Sequence, residues 1–265
     1  MHSDGLVSVI LSTYNRAMLL PRSIGSVLGQ TDGDLELIVV DDGSEDDSAA
    51  VVREFADPRV RYLRLSRNHG LPAARNAGLA EARGAYVAFQ DSDDEWHTEK
   101  LARQRRVLAA HPEAAIVYSD MRRVCADGRV VYHRSPTIVR GRLIDPDTRY
   151  WQSYMLAMQP VLMRRECLED LRFDERLVRF EDLDLHLRLA ERYEFVHMPE
   201  ALVDYRETDG LTTDMTAEFA GRRQLLRKYA GTLLATDPAF ALKETMAVLL
   251  RRSLLPIVAR HLTPL

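Results

Sequence analysis

The sequence predicts an α/β fold in which a mostly parallel β-sheet carries helices on both faces. Strand-like and helical patterns alternate from the N-terminus, at the spacing of β–α–β units. The composition agrees, because 46% hydrophobic and 29% charged residues are typical of soluble globular chains. A length of 265 residues favours one domain with appended elements.

The first half of the chain contains the clearest elements. Its strand segments are short apolar runs, and its helical segments place apolar side chains on one stripe, as Leu20, Ile24, Val27 and Leu28 do in the first helix. The predicted strands cover residues 7–12, 35–40, 60–65 and 85–90. The predicted helices cover residues 16–30, 46–55 and 71–82.

After residue 115 the alternation weakens into a mixed pattern. We expect strands at 115–118, 129–132, 161–163 and 201–206, and helices near 150–157 and from 182 to 193. From Arg222 to Leu265 there are 8 Lys or Arg and 2 Asp or Glu. This section is therefore predicted to be a basic helical extension, while the rest of the chain is acidic.

Charge and cysteine content limit the possible roles. A net charge of −4 argues against nucleic-acid binding by bulk electrostatics. The two cysteines form no CxxC pair, which suggests a reducing compartment. The N-terminal residues lack a secretion-signal pattern, and the apolar runs are far shorter than the roughly 20 residues of a membrane-spanning helix. We expect a cytoplasmic protein.

Polar segments follow three of the predicted strands. They are TYNR at 13–16, DDGS at 41–44 and DSDD at 91–94. In parallel α/β sheets, ligands bind beyond the carboxyl ends of the strands. These three segments therefore predict one binding edge.

The DSDD segment places three carboxylates within four residues. Mg²⁺ or Mn²⁺ binds through one or two carboxylates together with phosphate oxygens, so the segment predicts a metal–diphosphate site. The alternative is a helix N-terminus, in which Asp93 or Asp94 caps a helix that runs from Trp96.

Two further segments carry candidate binding groups. In DDGS, a carboxylate can accept hydrogen bonds from a base or ribose; the alternative is a turn in which Ser44 or Asp46 caps the next helix. In NHGLPAARNAG, at 68–78, Arg75 is a candidate phosphate ligand; the alternative is a surface ion pair.

These motifs together resemble the inverting family 2 glycosyltransferases of the GT-A fold, which has a Rossmann-like sheet. The resemblance rests on VSVILSTYNR, LELIVVDDGSEDD, NHGLPAARNAG, GAYVAFQDSDDEW and FDERLVRFEDLDLHLRL in this order. It covers roughly residues 6–206. It implies a catalytic domain over 1–210, with a nucleotide-binding half (1–115) and an acceptor-side half (116–210), followed by the extension (211–265).

The resemblance also implies roles for individual residues. Asp93 is the expected ligand of Mn²⁺ or Mg²⁺, Asp182 is the expected general base, and Glu181 is its acidic neighbour. Asp94 is expected to assist Asp93. The residues expected to bind the nucleotide diphosphate sugar are Ser12, Tyr14, Arg16, Asp42, Arg75, Asp91 and Ser92.

The chemistry of these groups fits glycosyl transfer. A sugar hydroxyl is a poor nucleophile, so a carboxylate such as Asp182 must accept its proton. A cation held by Asp93 can neutralise the departing diphosphate. From the residues alone, Glu181 and Asp182 are equally an acidic first turn of a helix.

The resemblance implies a UDP-sugar donor, a hydroxyl acceptor of unidentified class, and inversion at the anomeric carbon. A nucleotidyltransferase, which releases pyrophosphate from a nucleoside triphosphate, is the first alternative. A catalytically silent sugar-nucleotide-binding scaffold is the second.

Three features leave alternatives open. Thr208 stands where relatives carry a His that can join the metal site, so Arg206 or water would substitute. Trp96 and Trp151 either stack on sugars or belong to the core. In the extension, an amphipathic pattern at 242–252 predicts packing on the catalytic domain or a homodimer, or else peripheral contact with the inner membrane face.

Overall fold

A computed structural model describes residues 3–145, 151–152, 156–207 and 215–248. The strands are β1 (Ser3–Thr13), β2 (Leu35–Asp41), β3 (Val60–Arg64), β4 (Gly84–Asp91), β5 (Glu95–Trp96), β6 (Ala114–Val124), β7 (Val130–His133), β8 (Val161–Arg164) and β9 (Glu194–Arg206). The helices are α1 (Leu20–Leu28), α2 (Ser48–Glu54), α3 (Leu71–Glu81), α4 (Lys100–Ala110), α5 (Glu181–Ala190) and α6 (Met215–Thr236).

The described strands form one mixed sheet. Its order is β3-β2-β1-β4-β8-β6-β9-β5, with β7 paired to the outer part of β6. Strands β3, β2, β1 and β4 are parallel, β8 lies antiparallel between β4 and β6, and β6 and β9 are parallel. The predicted α/β fold is confirmed. Strands β6 and β9 are longer than predicted because they pair with each other along most of their length.

Apolar side chains pack on both faces of this sheet. One core cluster contains Ile10 and Phe89 together with residues of α3 and α5, and the other contains Leu11 and Val117 together with residues of α1 and α4. Helix α3 lies unusually close to β1 at Gly78, where a Cβ atom would stand 2.5 Å from Ile10 Cγ2. This close approach packs the second half of α3 directly against β1.

Two predicted helices are wrong. Trp96 does not begin a helix: it is buried and belongs to β5, which pairs with β9, and α4 begins at Lys100. Burial of the indole against the sheet outweighs the helical pattern.

In the predicted helix at 150–157, the described residues 151–152 and 156–157 are not helical. Trp151 instead forms a β-bridge with Ile144; residues 150 and 153–155 lie outside the described part.

The extension is helical in α6 and again over residues 238–248. It packs on the preceding part of the fold through Trp151, whose ring lies 5.7 Å from those of Tyr229 and Phe240. Leu242 and Met246 are exposed, and the rest of the predicted amphipathic pattern, 249–252, lies outside the described residues. No helix within the described ranges is long and apolar enough to cross a membrane.

Candidate active site

The loops after β1 and β2 are tied together at the carboxyl edge of the sheet. Asn15 adopts a left-handed conformation with φ of 51°, which asparagine tolerates better than most residues. Its N–H donates to Ser44 Oγ at 2.9 Å, and its Oδ1 accepts from the Glu45 N–H at 2.8 Å. The two loops therefore form one rim.

Three predicted donor-binding residues lie on the β1 side of this rim. Tyr14 is 42% exposed, so its ring is available to a ligand. Ser12 is buried, and its Oγ has no hydrogen-bond partner in the described part of the chain. Arg16 reaches towards the acidic segment, with Nη1 3.3 Å from Asp93 Oδ2.

Asp42 holds a neighbouring loop in place. Its two carboxylate oxygens accept the N–H groups of His69 and Gly70, both at 2.8 Å. The turn after β2 comes very close to the backbone of the loop before α3 at Gly43, which has φ of 79°. A Cβ atom on Gly43 would stand 2.6 Å from the Arg67 carbonyl carbon. Asp42 thus holds the loop before α3 against its own turn, and its predicted contact with the base stays a prediction.

Two of the three acids in the DSDD segment are held by hydrogen bonds. Asp91 accepts from Arg75 Nη2 at 2.9 Å and from Gln159 Nε2. Asp94 accepts from Gln159 Nε2 at 2.7 Å and from the Arg206 N–H at 3.0 Å. Burial raises the pKa of the Asp91 carboxyl, and it raises the pKa of the Asp94 carboxyl well above its ordinary value.

Asp93 is placed differently from these two acids. Its side chain is partly exposed beside Arg16, and its backbone carbonyl accepts from Arg22 Nη2 at 3.2 Å; Ser92, before it, is buried. Within the described ranges, no three His, Cys, Asp or Glu side chains form a metal-binding group. A single carboxylate still fits Mg²⁺ or Mn²⁺ where a diphosphate supplies further oxygens.

Arg75 bridges two acids from different parts of the chain. Its guanidinium donates to Glu181 Oε1 at 2.8 Å and to Asp91 Oδ1 at 2.9 Å, and it lies 5.4 Å from the Phe173 ring centre. The side chain is only 4% exposed, so the alternative of a surface ion pair is wrong. The phosphate contact expected of Arg75 stays a prediction.

Asp182 is the second residue of α5. Phe180, the residue just before the helix, is a non-glycine residue in the left-handed region with φ of 66°. Its Oδ1 accepts from the Leu183 N–H at 2.7 Å, and its side chain is half-buried. Burial, and then the charge of Glu181, raise the pKa of Asp182 to about 7, although Arg75 opposes the shift. A carboxylate with this pKa can accept a proton near neutral pH.

Sequence reasoning missed Gln159, the amide that joins Asp91 to Asp94. It lies just before β8 in an irregular segment that carries no motif, so its only sequence signal is an amide beside an apolar run. The Arg206 side chain, expected as a possible substitute at the metal site, donates instead to Glu95 Oε2 at 2.9 Å. Thr208 lies outside the described residues.

Two tryptophans and one histidine of the chain are buried. Trp96 and Trp151 are buried and belong to apolar clusters, as the core alternative predicts. His186 is fully buried on α5, and burial lowers its pKa to about 3. It is therefore neutral at physiological pH.

A curled α/β sheet with an acidic segment at the carboxyl end of β4 and a second acidic pair at the start of α5 defines the GT-A class of fold. Residues 8–172 match the family described as Glycosyl transferase family 2. The chain therefore belongs to glycosyltransferase family 2.

Known proteins share this fold and sequence pattern. The succinoglycan biosynthesis protein ExoO of Rhizobium meliloti is 35% identical over 186 residues, which cover 66% of this chain and 53% of that protein. This chain thus spans about half the length of ExoO.

Two solved structures show the same fold. Staphylococcus aureus TarS in complex with UDP-GlcNAc has a TM-score of 0.69 and 23% identity, over 89% of this chain and 69% of that one. The mannosyltransferase PcManGT from Pyrobaculum calidifontis, in complex with GDP-Man and Mn²⁺, has a TM-score of 0.62 and 20% identity, over 99% of this chain and 77% of that one.

Proposed function

We propose that this chain transfers a sugar from a UDP-sugar to a hydroxyl group, with inversion and with Asp182 as the general base. One observation carries the proposal. Arg75 joins Asp91, in the donor-side acidic segment, to Glu181, which immediately precedes Asp182. A donor bound at the acidic segment and a base on α5 would therefore face each other across one guanidinium.

The proposed reaction is a single displacement. Asp182 accepts the proton of the acceptor hydroxyl while the acceptor oxygen forms a bond to the anomeric carbon. The bond from that carbon to the diphosphate oxygen breaks, and the nucleoside diphosphate leaves with the electron pair. Attack opposite the leaving group inverts the anomeric centre.

Asp93 is the residue we propose as the protein ligand of Mn²⁺ or Mg²⁺, which when bound supplies positive charge to the diphosphate. Tyr14 and Ser12 would contact the nucleotide, the first through an exposed ring and the second through a buried hydroxyl that lacks a partner in the described chain. Asp42, Arg16, Ser92 and Arg75 complete the proposed donor site.

The donor class is supported by the neighbours of this fold. TarS has been solved with UDP-GlcNAc, whereas PcManGT has been solved with GDP-Man and Mn²⁺. We favour a UDP-sugar, because a carboxylate such as Asp42 can accept a hydrogen bond from the N–H of uracil.

We propose that the segment at 122–159 selects the acceptor. Peripheral membrane contact or dimerisation through residues 211–265 stays a prediction.

The test is thermal stability with UDP, UDP-glucose, UDP-GlcNAc, GDP and GDP-mannose, each with Mn²⁺, Mg²⁺ or chelator, followed by turnover of every donor that binds. A ligand at 100 times its Kd stabilises the folded state by about 2.7 kcal/mol. We expect a metal-dependent shift with UDP and its sugars, and release of UDP. Pyrophosphate release from UTP would instead indicate a nucleotidyltransferase, and binding without turnover over a broad panel of hydroxyl acceptors would favour the silent scaffold.

A further inference from the structure

Helix α6 packs on the segment that leads into the proposed base. The Gln224 side chain bonds to this segment twice: its Oε1 accepts from the Val178 N–H at 3.1 Å, and its Nε2 donates to the Arg176 carbonyl at 2.7 Å. Lys228 Nζ adds a bond to Asp174 Oδ2 at 2.8 Å. The backbone before α5 is therefore held by side chains of α6.

The tightest contact lies at the left-handed residue Phe180. A Cβ atom on Gly221 of α6 would stand 3.0 Å from Phe180 Cδ2 and 3.0 Å from the Arg179 carbonyl oxygen. Non-glycine residues with positive φ persist where their surroundings hold them, and they cluster at functional sites. Here the surroundings include α6, and Phe180 is two residues before Asp182.

A second contact holds the first turn of α5 itself. Asp184 is fully buried, and its Oδ1 accepts from the Tyr229 hydroxyl at 2.9 Å and from Lys228 Nζ at 2.6 Å. The Asp184 N–H donates to the Phe180 carbonyl at 3.0 Å. The turn that carries Asp182 is thus fixed at both ends by groups that contact α6.

Apolar packing continues the same interface. Leu225, Tyr229 and Leu233 of α6 share a buried cluster with Leu183 and Leu187 of α5. Trp151 also belongs to this cluster, but the α5 side of the interface lies outside residues 8–172, the part of the chain that matches the family. Its contacts lie on one short stretch of chain, from Asp174 to Leu187.

We infer that α6 is a positioning element for the general base: Gly221 and Tyr229 hold the Phe180 turn and the first turn of α5 in the arrangement that presents Asp182 to the acceptor. This inference rests on the proposed function, because it assigns α6 a role in the same reaction. Neither residue is a catalytic residue, since both act through α5. Purely structural packing would instead affect folding alone.

The chain offers a matched pair of substitutions within one helix. Gly221→Ala adds a methyl group against Arg179 and Phe180, whereas Gly231→Ala, also in α6, adds one where no atom of the described residues lies within 4 Å apart from its own helix backbone and chain neighbours. Both replacements gain the same intrinsic helix propensity. The difference between the two variants therefore isolates the contact with the Phe180 turn.

Turnover is measured as UDP release from UDP-glucose and UDP-GlcNAc with water as the acceptor, and UDP affinity is measured separately in Mn²⁺. For Gly221→Ala we expect kcat to fall about tenfold, since small misplacements of reacting groups have large effects, while the Kd for UDP stays within about twofold. Gly231→Ala is expected to match the parent protein. Tyr229→Phe, which keeps the ring packing and removes one hydroxyl, is expected to lower kcat in the same way.

A second readout does not depend on turnover. Carbon-13 NMR titration of the Asp182 carboxyl, assigned with Asp182→Asn, should show a changed pKa in Gly221→Ala and not in Gly231→Ala, because the charges of Glu181, Arg75 and Asp91 act on that carboxyl. An unchanged titration, or equal kcat in both glycine variants, would overturn the inference. Absence of both UDP binding and turnover in the parent protein would contradict the proposed function alone, and the titration would still decide the role of α6.

Discussion

Arg75 Nη1 lies 2.8 Å from Glu181 Oε1, although the two residues are 106 positions apart in the sequence. The same guanidinium contacts Asp91, so one buried side chain connects the end of β4 with the start of α5. The spacing between the proposed donor site and the proposed base is therefore set by one planar guanidinium that bridges two carboxylates.

Replacing Arg75 with Met should destabilise the protein strongly. Two carboxylates, on Asp91 and Glu181, would lose their shared cation in a buried site, and removal of one partner from such a group typically costs about 3–5 kcal/mol. Urea denaturation measures the free energy of unfolding. The control is Arg176→Met, whose side chain is 86% exposed. A loss below about 1 kcal/mol for Arg75→Met would contradict this account.

Asp182→Asn should abolish transfer and preserve donor binding. The amide keeps the size of the side chain but cannot accept a proton, and general-base catalysis contributes about 10²–10⁴-fold to rates. The measurements are UDP release and the Kd for UDP in Mn²⁺. Asp170→Asn serves as the control, because its carboxylate is 65% exposed and pairs with Arg192. Parallel loss of UDP affinity would argue against a role confined to the base.

The rate should depend on pH through the ionisation of Asp182. Because burial and Glu181 raise its pKa to about 7, the active carboxylate form is lost as pH falls, so kcat should decline below about pH 7. Removing the charge of Glu181 with Glu181→Gln should lower that pKa and shift the acid limb of the kcat profile to lower pH. A limb that stays in place, or moves upward, would be the contrary result.

Asp93→Asn should weaken metal-dependent binding of UDP. The amide is a poorer ligand for a hard cation than the carboxylate, so more Mn²⁺ should be needed for half of the UDP-induced thermal shift. A suitable comparison is Asp127→Asn, which alters an exposed acid in the turn between β6 and β7. The role assigned to Asp93 would fail if both variants gave the same Mn²⁺ dependence.

Gln159→Leu should lower stability by about 1–3 kcal/mol, because the carboxylates of Asp91 and Asp94 would each lose a hydrogen-bond donor in a buried setting. Thermal or urea unfolding detects the loss. Gln224→Leu, which breaks two bonds to partly exposed backbone, provides a comparison of the same chemistry at another interface. A neutral effect of Gln159→Leu would mean that the two acids are held without this amide.

The parallel half of the sheet was predictable because its strands are buried on both faces. The segment at 35–40 is buried throughout in β2, and such a strand appears in the sequence as an apolar run, interrupted here only by Glu36, with polar residues after it. Elements that depend on distant pairing could not be predicted in this way. Trp96 is drawn into β5 by β9, more than 100 residues later, and nothing local indicates that partner.

In the candidate site, too, some residues could be predicted from the local sequence and others could not. Acids that follow strands, such as Asp91 and Asp93, are visible from their position after an apolar run. Gln159 is not, because its role arises only when β8 inserts beside β4 and brings the preceding residues to the acidic segment. Equally, the bond from Tyr229 to Asp184 depends on how α6 returns to α5.

The insertion of β8 between β4 and β6 has a consequence for biosynthesis. Strand β4 ends at Asp91, but its neighbour on that side begins at Val161, 70 positions later. At translation rates of about 5–20 residues per second, the open edge of β4 waits roughly 4 to 14 s for its partner. During that interval the nascent chain presents unpaired backbone donors and acceptors beside apolar side chains, the combination that attracts other strands. Protection by a chaperone should therefore matter most while residues 92–164 are being made.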